Sequence, residues 1–521
     1  MNRIHDLIKA RADSHSSHEA VVDGDRRIPY AQLKLDVERV AKALLALGVK
    51  RGDRVATLAP PCYEFLISYL GAVSIGAIWH GLNPRYQARD YQYLLSDAQP
   101  SVVFCVSPYD GRRYDVELQA LDNTVKQFVT MGEPQGDAKS FEDFLAHGVS
   151  VTQDELSRAC WLVEADDCAV IVYTSGTTGQ PKGAMLSQRA ITELALINVR
   201  WMGDGLRKAI CPAPINHIGG LNHICMNVLA YGGTLVFHHR VDPAELGRLN
   251  VVERPTFLVS SPTGFIMLLE NPAFSLDLLS SYRLVVFGGA ATPKPVLERF
   301  LSLNARFAAV YGQTETCGIV THSGAEDSLD DLCDTVGFPI EGAVARFVTA
   351  DGRECADGEI GEMQFKAPFL MSGYYNKPAA TADAFTADGF LRTGDLGYRR
   401  SDGRLVFTGR LKEMFKSGGY NVYPVEIEQA ICEHPAVSNA VVMAMPDAKF
   451  QEVGFAFVTL KHGSELDEPT LRSYLKERIA NFKVPKRFEF LSAMPTLPNS
   501  KVDRQQLKAK LEAILQVESH A

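Results

Sequence analysis

Short β-branched runs alternate with stretches of helical spacing along the first 330 residues. Runs that predict buried strands lie at 55–58, 102–105, 168–172, 234–237, 257–260, 284–287 and 307–310. Between Tyr30 and Leu47 apolar residues recur every three or four positions, and Gly48 ends the predicted helix. Residues 20–30 predict a hairpin with an Asp-Gly turn. The alternation predicts an α/β domain with parallel sheets covered by helices.

Two parts of the chain depart from this alternation. Residues 117–164 show no clear period and predict irregular structure. After about residue 335, short strands and Gly-rich turns predict a small β-barrel-like subdomain. A last α+β pattern begins near Arg410 and ends in a helix at 505–515. We therefore expect a large N-terminal domain over 1–410, built of two βα-layered subdomains plus the β subdomain, and a small C-terminal domain over 411–521.

Composition excludes several classes of protein. The 521 residues carry a net charge of −9, which argues against a nucleic-acid binder. The ten cysteines form no Cys-x-x-Cys pair, so we expect free thiols in a reducing compartment. Apolar runs fall short of the roughly 20 residues that cross a bilayer, and residues 1–17 lack a signal-peptide core. A cytoplasmic protein is expected.

One loop carries the clearest chemical signal. The strand at 168–172 runs into Tyr-Thr-Ser-Gly-Thr-Thr-Gly-Gln-Pro-Lys-Gly over 173–183. Its glycines allow close approach of a ligand to the backbone, its hydroxyls donate to oxyanions, and Lys182 adds a positive charge. The loop lacks the Walker spacing, yet this combination indicates a polyphosphate site.

This loop closely resembles the phosphate-loop signature of the adenylate-forming superfamily, and the resemblance extends through further motifs to Lys501. We identify the chain as similar to the acid–CoA ligase branch of that superfamily. The resemblance implies ATP, Mg²⁺ and coenzyme A as the small molecules used together with a carboxylic acid. It also implies an acyl-adenylate intermediate, with AMP and pyrophosphate as products.

The resemblance implies a set of nucleotide-binding residues. Glu315 matches the magnesium ligand, Tyr311 the aromatic residue that stacks on adenine, and Asp395 the carboxylate that accepts both ribose hydroxyls. The implied catalytic residues are Lys182, Lys501, His217, Thr314 and Glu315. The implied ATP and AMP contacts are Thr174, Ser175, Gly176, Thr177, Thr178, Gly179, Gly288, Gly289, Ala290, Tyr311, Gly312, Gln313, Thr314, Asp395, Arg410 and Lys501.

The acyl pocket is expected around His217, which follows two prolines and precedes two glycines. No acidic residue occurs between Ala209 and Leu235, which disfavours an amino-acid substrate because a buried ammonium would lack a partner. Glycines in the pocket are expected to leave room for a medium-chain fatty or aryl acid. The expected pocket residues are Asn216, His217, Gly220, Ser261, Gly312 and Gly318.

The C-terminal segment carries the remaining implied roles. Lys412 matches the hinge about which the C-terminal domain rotates between two catalytic poses. Lys501 matches the lysine of the adenylation pose, although Ser500 stands where the family pattern has glycine. The implied coenzyme A contacts are Lys416, Ser417, Gly418 and Gly419.

Two rival functions remain open on the sequence. A stand-alone enzyme could load the acid onto a phosphopantetheinyl carrier protein instead of coenzyme A. A non-catalytic acyl-adenylate binder is the second, and the presence of Lys501, Glu315 and Asp395 argues against it. The sequence also leaves open whether the chain acts alone or as a homodimer.

Overall fold

The computed structural model of the protein describes residues 2–174, 181–212, 215–239, 242–271, 274–289, 292–497 and 502–519. Strands in this part of the chain are β1 Glu19–Asp23, β2 Arg26–Pro29, β3 Arg54–Leu58, β4 Ile78–Leu82, β5 Val102–Val106, β6 Gln127–Met131, β7 Lys139–Ser140, β8 Cys168–Thr174, β9 Lys182–Ser187, β10 Lys208–Cys211, β11 Thr234–Phe237, β12 Phe257–Ser260, β13 Leu284–Gly288, β14 Arg306–Gln313, β15 Gly318–His322, β16 Phe338–Pro339, β17 Val344–Val348, β18 Gly361–Lys366, β19 Gly373–Tyr374, β20 Leu391–Arg399, β21 Leu405–Arg410, β22 Phe415–Ser417, β23 Tyr420–Val422, β24 Val437–Asp447, β25 Gln451–Leu460 and β26 Arg487–Leu491.

Helices flank these strands over most of the chain. The α-helices are α1 Ile4–Ser14, α2 Tyr30–Ala46, α3 Tyr63–Ser74, α4 Ala88–Ala98, α5 Tyr114–Gln119, α6 Phe141–His147, α7 Gln153–Trp161, α8 Gln188–Met202, α9 Asn227–Tyr231, α10 Pro243–Glu253, α11 Pro262–Glu270, α12 Lys294–Phe300, α13 Leu329–Asp334, α14 Pro378–Ala384, α15 Pro424–Cys432, α16 Glu468–Lys476 and α17 Arg504–Ser519. A π-helix over Gly219–Met226 directly precedes α9.

Two large, mainly parallel sheets form the framework. The first has eight strands in the order β19-β9-β8-β4-β3-β5-β6-β7, and the second has nine in the order β16-β15-β14-β13-β12-β10-β11-β1-β2. Their central strands pair in parallel, and antiparallel strands lie at the edges. Buried side chains from both sheets and from helices α1, α2, α3 and α8 join one large apolar core. The predicted α/β class is confirmed.

The strand directions place the functional segments at one edge of each sheet. Strand β8 ends at Thr174, immediately before the phosphate loop, and β13 ends at Gly288. Strand β14 continues to Gln313, at the start of the Thr-Glu motif. Carboxyl ends of parallel strands are where α/β proteins bind their ligands, so the fold brings together segments far apart in sequence.

Regular structure over residues 117–164 corrects the prediction that this region is irregular. It contains β6, β7, α6 and α7. The Ser140 side chain caps α6, and Thr152 and Glu155 form a capping box on α7. These helices have only seven and nine residues, so they are too short to show a clear helical period.

Two smaller sheets follow the large ones. Strands β17, β18, β20 and β21 form an antiparallel sheet in that order, which is the expected β subdomain. Strands β23, β22, β25 and β24 form the last sheet, with β26 parallel to β25. One apolar cluster packs α15 and α16 against this sheet, and another packs α17 against it. The C-terminal segment therefore has a core of its own.

Candidate active site

Asp395 is the centre of a hydrogen-bonded cluster between two sheets. Its carboxylate is almost fully buried, and Oδ2 accepts hydrogen bonds from the Tyr311 hydroxyl at 2.6 Å and from Gln313 Nε2 at 2.7 Å. Arg410 Nε lies 3.3 Å from Oδ1, because strand pairing places Arg410 opposite Asp395. Three predicted nucleotide residues thus contact the carboxylate of a fourth, although the four lie up to 99 positions apart in sequence.

Tyr311 is held rigidly in this cluster. Its ring lies between Phe365 and Phe407, with centroid distances of 5.9 and 6.2 Å. Burial and the neighbouring Asp395 carboxylate hold the pKa of the Tyr311 phenol well above its usual value. The phenol therefore stays protonated and keeps donating to Asp395.

A tight turn links Gln313 to the next strand. Gln313 N donates to Thr316 Oγ1 at 2.8 Å, and Cys317 N donates to the Thr314 carbonyl at 2.9 Å. This turn holds Thr314 nearly buried beside Glu315. These local hydrogen bonds hold the backbone of the turn that carries Thr314 and Glu315.

Glu315, Tyr374 and Lys182 form the second group of the site. Glu315 Oε1 accepts a hydrogen bond of 2.8 Å from the Tyr374 hydroxyl. Lys182 Nζ lies 5.1 Å from the centroid of the Tyr374 ring, within the range of a cation–π contact. Strand β19 pairs with β9 and so places Tyr374 beside the start of β9, where Lys182 lies.

The Glu315 carboxylate fits a magnesium ion of the kind that nucleotides bring with them. Carboxylate oxygen is a preferred ligand of Mg²⁺, which usually binds through one or two carboxylates, water and substrate phosphates. Within the described residues, no group of three or more His, Cys, Asp or Glu side chains could hold a metal by itself. Glu315 would therefore hold the ion together with ATP, and the ion would offset negative charge on the phosphates.

Gly288 and Gly289 lie at the carboxyl end of β13, where the adenine turn was predicted. Gly288 pairs with Val310 of β14, which brings this turn next to Tyr311. Gly289 follows with φ of +84°. Both glycines thus lie at the same edge of the sheet as Tyr311 of the Asp395 cluster.

The expected acyl-pocket residues lie around the π-helix. Asn216 and His217 precede it, Gly220 is buried within it, and Gly219 N donates to His217 Nδ1 at 3.2 Å. The Ser261 hydroxyl caps α11 by accepting from Gly264 N at 3.2 Å. Asn222, which the sequence analysis did not single out, donates to the Cys317 carbonyl at 2.9 Å and ties the π-helix to the Thr-Glu turn.

Gly312 and Gly318 do not leave open space, contrary to expectation. A Cβ atom on Gly312 would lie 1.8 Å from the Gly318 carbonyl oxygen. A Cβ atom on Gly318 would lie 2.3 Å from His223 Nε2. These glycines allow the close approach of β14, β15 and the His223 ring, so the space in front of them is already filled.

The predicted coenzyme A residues form a hairpin in the C-terminal sheet. Strands β22 and β23 are joined by Gly418 and Gly419, both with positive φ, as a two-residue hairpin turn requires. Ser417 is buried, whereas Lys416 is exposed and its backbone N–H donates to Glu452. Lys412 is exposed in the turn between β21 and β22.

Several predicted residues lie outside the described part of the chain. They are Ser175, Gly176, Thr177, Thr178, Gly179, Ala290 and Lys501. Thr174 and Lys182, on either side of the phosphate loop, pair with each other across β8 and β9. Val502, which follows Lys501, pairs with Thr496.

Tyr374 is the main site residue that the sequence analysis missed. It lies 59 positions from Glu315 and belongs to none of the motifs that carry the resemblance to adenylate-forming enzymes. The aromatic pair Tyr374-Tyr375 directly before an Asn-Lys-Pro turn was the available signal. Thr393 was also missed: its hydroxyl accepts from Asp395 N at 3.1 Å, and its carbonyl accepts from Gln313 Nε2 at 3.1 Å.

Fold and site together define an adenylate-forming enzyme, and comparisons with known proteins agree. The family model described as AMP-binding enzyme matches residues 8–375, and the AMP-binding enzyme C-terminal domain matches 426–501. The chain belongs to the AMP-binding enzyme family, in its acid–CoA ligase branch. It is an AMP-forming acid–CoA ligase that uses ATP, Mg²⁺ and coenzyme A.

Individual relatives cover nearly the whole chain. A 3-[(3aS,4S,7aS)-7a-methyl-1,5-dioxo-octahydro-1H-inden-4-yl]propanoyl:CoA ligase of Mycobacterium tuberculosis is 33% identical over 498 residues, which are 94% of this chain and 95% of that protein. A feruloyl-CoA synthase of an Amycolatopsis species is 30% identical and covers 96% of this chain and 97% of its own. The structure of ATP-bound MatB from Rhodopseudomonas palustris has a TM-score of 0.82 at 29% identity, covering 98% of this chain and 99% of its own.

Proposed function

We propose that this ligase activates a medium-chain fatty or aryl carboxylic acid and transfers the acyl group to coenzyme A. The observation that carries the proposal is the convergence of Tyr311, Gln313 and Arg410 on Asp395, beside the separate group of Glu315, Tyr374 and Lys182. The first group offers a carboxylate for ribose hydroxyls. The second offers a cation and a metal ligand for phosphates.

The residues have distinct roles in the proposed first step. An oxygen of the acid carboxylate attacks the α-phosphorus of ATP, the bond to the β-phosphate oxygen breaks, and pyrophosphate leaves. Lys182, Lys501 and the phosphate-loop hydroxyls offset the negative charge that develops, and Thr314 contacts the α-phosphate. Removal of one positioned donor of this kind typically costs ~10²–10³ in rate.

The second step transfers the acyl group to sulfur. The thiolate attacks the carbonyl carbon of the mixed anhydride, the bond from that carbon to the phosphate oxygen breaks, and AMP leaves. We propose that the C-terminal segment rotates about Lys412 between the two steps, with the domain boundary at Arg410. Support comes from the end of β21 at Arg410, the start of the C-terminal sheet at Phe415, and that sheet's separate cores.

The proposed contacts of coenzyme A are Lys416, Ser417, Gly418 and Gly419. The hairpin turn at Gly418 and Gly419 supports this assignment because these two residues carry no side chain of their own that a passing pantetheine arm would meet. Relatives whose names specify CoA as the acceptor cover nearly the whole chain. A reducing, cytoplasmic location agrees with ten cysteines that form no disulfide. Among the described residues, no helix combines the length and the apolar character needed to cross a membrane.

Two features of the predicted acyl pocket bear on the class of acid. The segment from Ala209 to Leu235 contains no carboxylate, as expected for an acid without an amino group. The pocket cannot extend into the space around Gly312 and Gly318, which His223 and the backbone fill. An acid entering past His217 would instead lie along the π-helix that begins at Gly219.

Pyrophosphate release from a panel of carboxylic acids tests the proposed acid class. The panel should include C6–C12 fatty acids, cinnamic and phenylacetic acids, a dicarboxylic acid and an amino acid. We expect the fatty or aryl acids to give the highest kcat/KM. Preference for the dicarboxylic or amino acid would refute the proposed class and leave the ligase chemistry standing. The rates of thioester formation with free coenzyme A and with a phosphopantetheinyl carrier protein show which acceptor the enzyme prefers.

A further inference from the structure

A cavity lies at the opposite edge of the nine-stranded sheet from the nucleotide residues. Its volume is about 670 Å³, within the range of roughly 300–1,000 Å³ that is usual for ligand sites. We call it the basal pocket. Its lining includes His18, Arg207, Lys208, Thr234, Arg254 and Thr256.

Strand direction separates the basal pocket from the catalytic site. Lys208 and Thr234 are the first residues of β10 and β11, and Thr256 directly precedes β12. Gly288, in contrast, is the last residue of the parallel strand β13. Strands of four residues at about 3.3 Å per residue separate the two edges of the sheet by roughly 13 Å. A ligand in the basal pocket would therefore not occupy the nucleotide site.

Three cationic side chains, those of Arg207, Lys208 and Arg254, line this pocket together with one carboxylate, that of Glu19. Lys208 pairs with Glu253 at 3.0 Å, and Arg207 pairs with Asp204 at 2.6 Å. Arg254 lines the pocket, and no ion pair neutralises its guanidinium within the described residues. Arg254 therefore offers this pocket a guanidinium without a carboxylate partner among the described residues.

The remaining polar groups suit the organic part of a ligand. His18 Nδ1 lies 3.0 Å from the Gly232 carbonyl oxygen, and the Tyr30 hydroxyl donates to the Gly233 carbonyl at 2.7 Å. These carbonyl oxygens therefore each have a hydrogen-bond partner within the protein. With its Nδ1 proton on Gly232, a neutral His18 presents Nε2 as an acceptor for a ligand hydroxyl, and the His15 ring lies 6.1 Å away between centroids.

We propose that the basal pocket binds the phosphate monoester of a small metabolite, with Arg254 as the principal anchor. Arginine presents paired N–H donors that match phosphate oxygens, and Arg207 and Lys208 add positive charge to the same lining. The volume exceeds what a bare phosphate needs, so an organic remainder would fill the rest. This inference is independent of which acid the ligase activates.

Calorimetric titration of ribose 5-phosphate into the full-length protein tests the proposal. Saturating AMP is present throughout, so that the nucleotide site is occupied, and AMP binding is first measured on its own. We expect one ribose 5-phosphate per chain, and at least about tenfold weaker binding in Arg254→Ala, because the variant loses charge-assisted hydrogen bonds to the phosphate. Arg254→Lys should recover part of the affinity.

Control variants keep the test specific. Arg248, on the same helix, pairs with Glu245 outside the pocket, so Arg248→Ala should bind ribose 5-phosphate normally. Arg254→Ala should keep the melting temperature and the basal ligase rate, and Arg254→Gln provides a second variant if it does not fold. Absence of binding at millimolar ribose 5-phosphate, or equal affinity in wild type and the arginine variants, would overturn the proposal. Equally tight binding of inorganic phosphate would overturn its monoester part.

Discussion

At the scale of single residues, buried polar contacts organise the site before any ligand arrives. Asp395 is nearly inaccessible, yet its oxygens are met by a phenol, an amide and a guanidinium. Burying a carboxylate is costly without such partners. The cluster therefore both stabilises the charge and fixes the geometry that a ribose would meet.

Asp395→Ala should weaken ATP binding and slow both half-reactions, because the ribose contact persists through both. We expect the KM for ATP to rise at least about tenfold, as loss of a charge-assisted hydrogen bond usually costs 1.5–3 kcal/mol. Calorimetry with AMP measures the effect directly. Asp395→Asn keeps the shape and serves as the matched control for packing. Unchanged AMP affinity in Asp395→Ala would refute the ribose assignment.

Tyr374→Phe tests whether the hydroxyl positions Glu315. The variant keeps the ring beside Lys182 and removes only the 2.8 Å hydrogen bond to Glu315 Oε1. We expect a higher Mg²⁺ requirement and a modest loss of kcat, about tenfold or less, because the carboxylate remains. Titration of the adenylation rate with Mg²⁺ measures this. A Tyr374→Leu variant should lose more of kcat, since it also removes the ring beside Lys182. Equal dependence of the adenylation rate on Mg²⁺ in wild type and Tyr374→Phe would exclude a positioning role for the Tyr374 hydroxyl.

His80 should make the N-terminal part of the protein sensitive to acid. It is fully buried in β4, neither ring nitrogen has a hydrogen-bond partner within the described residues, and burial lowers its pKa to about 3. The unfolded chain, with an ordinary histidine pKa near 6.5, binds this proton more readily. Stability is therefore lost as pH falls from about 6.5 toward 3, by at most ~1.4 kcal/mol per pH unit.

The variant His80→Leu isolates that contribution. Urea unfolding at pH 7, 6, 5 and 4, compared between wild type and His80→Leu, gives the difference in pH dependence. We expect the wild type to lose more stability than the variant over this range. Parallel curves would show that His80 is not a source of the acid sensitivity.

At the scale of elements, the strength of the local pattern decided which predictions succeeded. The buried strands β3, β5, β11 and β13 lie where apolar runs predicted them, because strands covered on both faces contain few polar residues. Helices α6 and α7 were missed because seven or nine residues show too little periodicity.

Long-range contacts account for the rest of what the sequence did not reveal. The π-helix at Gly219–Met226 looks like an ordinary apolar helix in the sequence. Tyr374 reaches Glu315 only because β19 pairs with β9, and His223 fills the space before Gly318 only because β15 packs on the π-helix. Motifs predicted residue types at the site, whereas pairing between distant segments determined which residues touch.

Arg504 links the Lys501 segment to the C-terminal core. Arg504 donates to Glu428 Oε1 at 2.8 Å, and Asp503 N donates to the Pro495 carbonyl at 2.8 Å. Burial raises the pKa of Glu428, and the Arg504 charge opposes that rise. Removing the Arg504 guanidinium would leave the buried Glu428 carboxyl without its cation. Arg504 lies only three positions from Lys501, so the change would disturb the segment that carries this lysine.

Arg504→Ala should therefore resemble a weak Lys501→Ala. We expect Lys501→Ala to slow adenylate formation by about 10² or more, and Arg504→Ala to slow it less, with thioester formation from synthetic acyl-adenylate nearly normal in both. Arg504→Lys should recover part of the rate because it restores the charge. A thioester step that falls as far as adenylation would instead make the segment structural.

At the scale of the whole molecule, two bodies of different size meet around one short connection. The N-terminal part has a large core shared by both main sheets, and the C-terminal part has its own clusters on both faces of its sheet. Only the residues between Arg410 and Phe415 separate β21 from β22. Such a connection concentrates any relative rotation in very few backbone dihedrals.

Lys412→Pro tests that rotation. Proline fixes φ near −65° and restricts the residue before it, while Leu411 N remains bonded to the Gly394 carbonyl at 2.9 Å. If the protein rotates about Lys412 between its two steps, the variant should form adenylate and pyrophosphate but make little thioester. Lys412→Ala removes the same side chain without fixing φ, so it should retain both steps. Separate assays of pyrophosphate release and of thioester formation from preformed adenylate distinguish the cases. If only rotation is blocked, adenylate formation should survive, because it takes place before the rotation. Equal losses in both assays for Lys412→Pro would therefore place the hinge elsewhere in the chain.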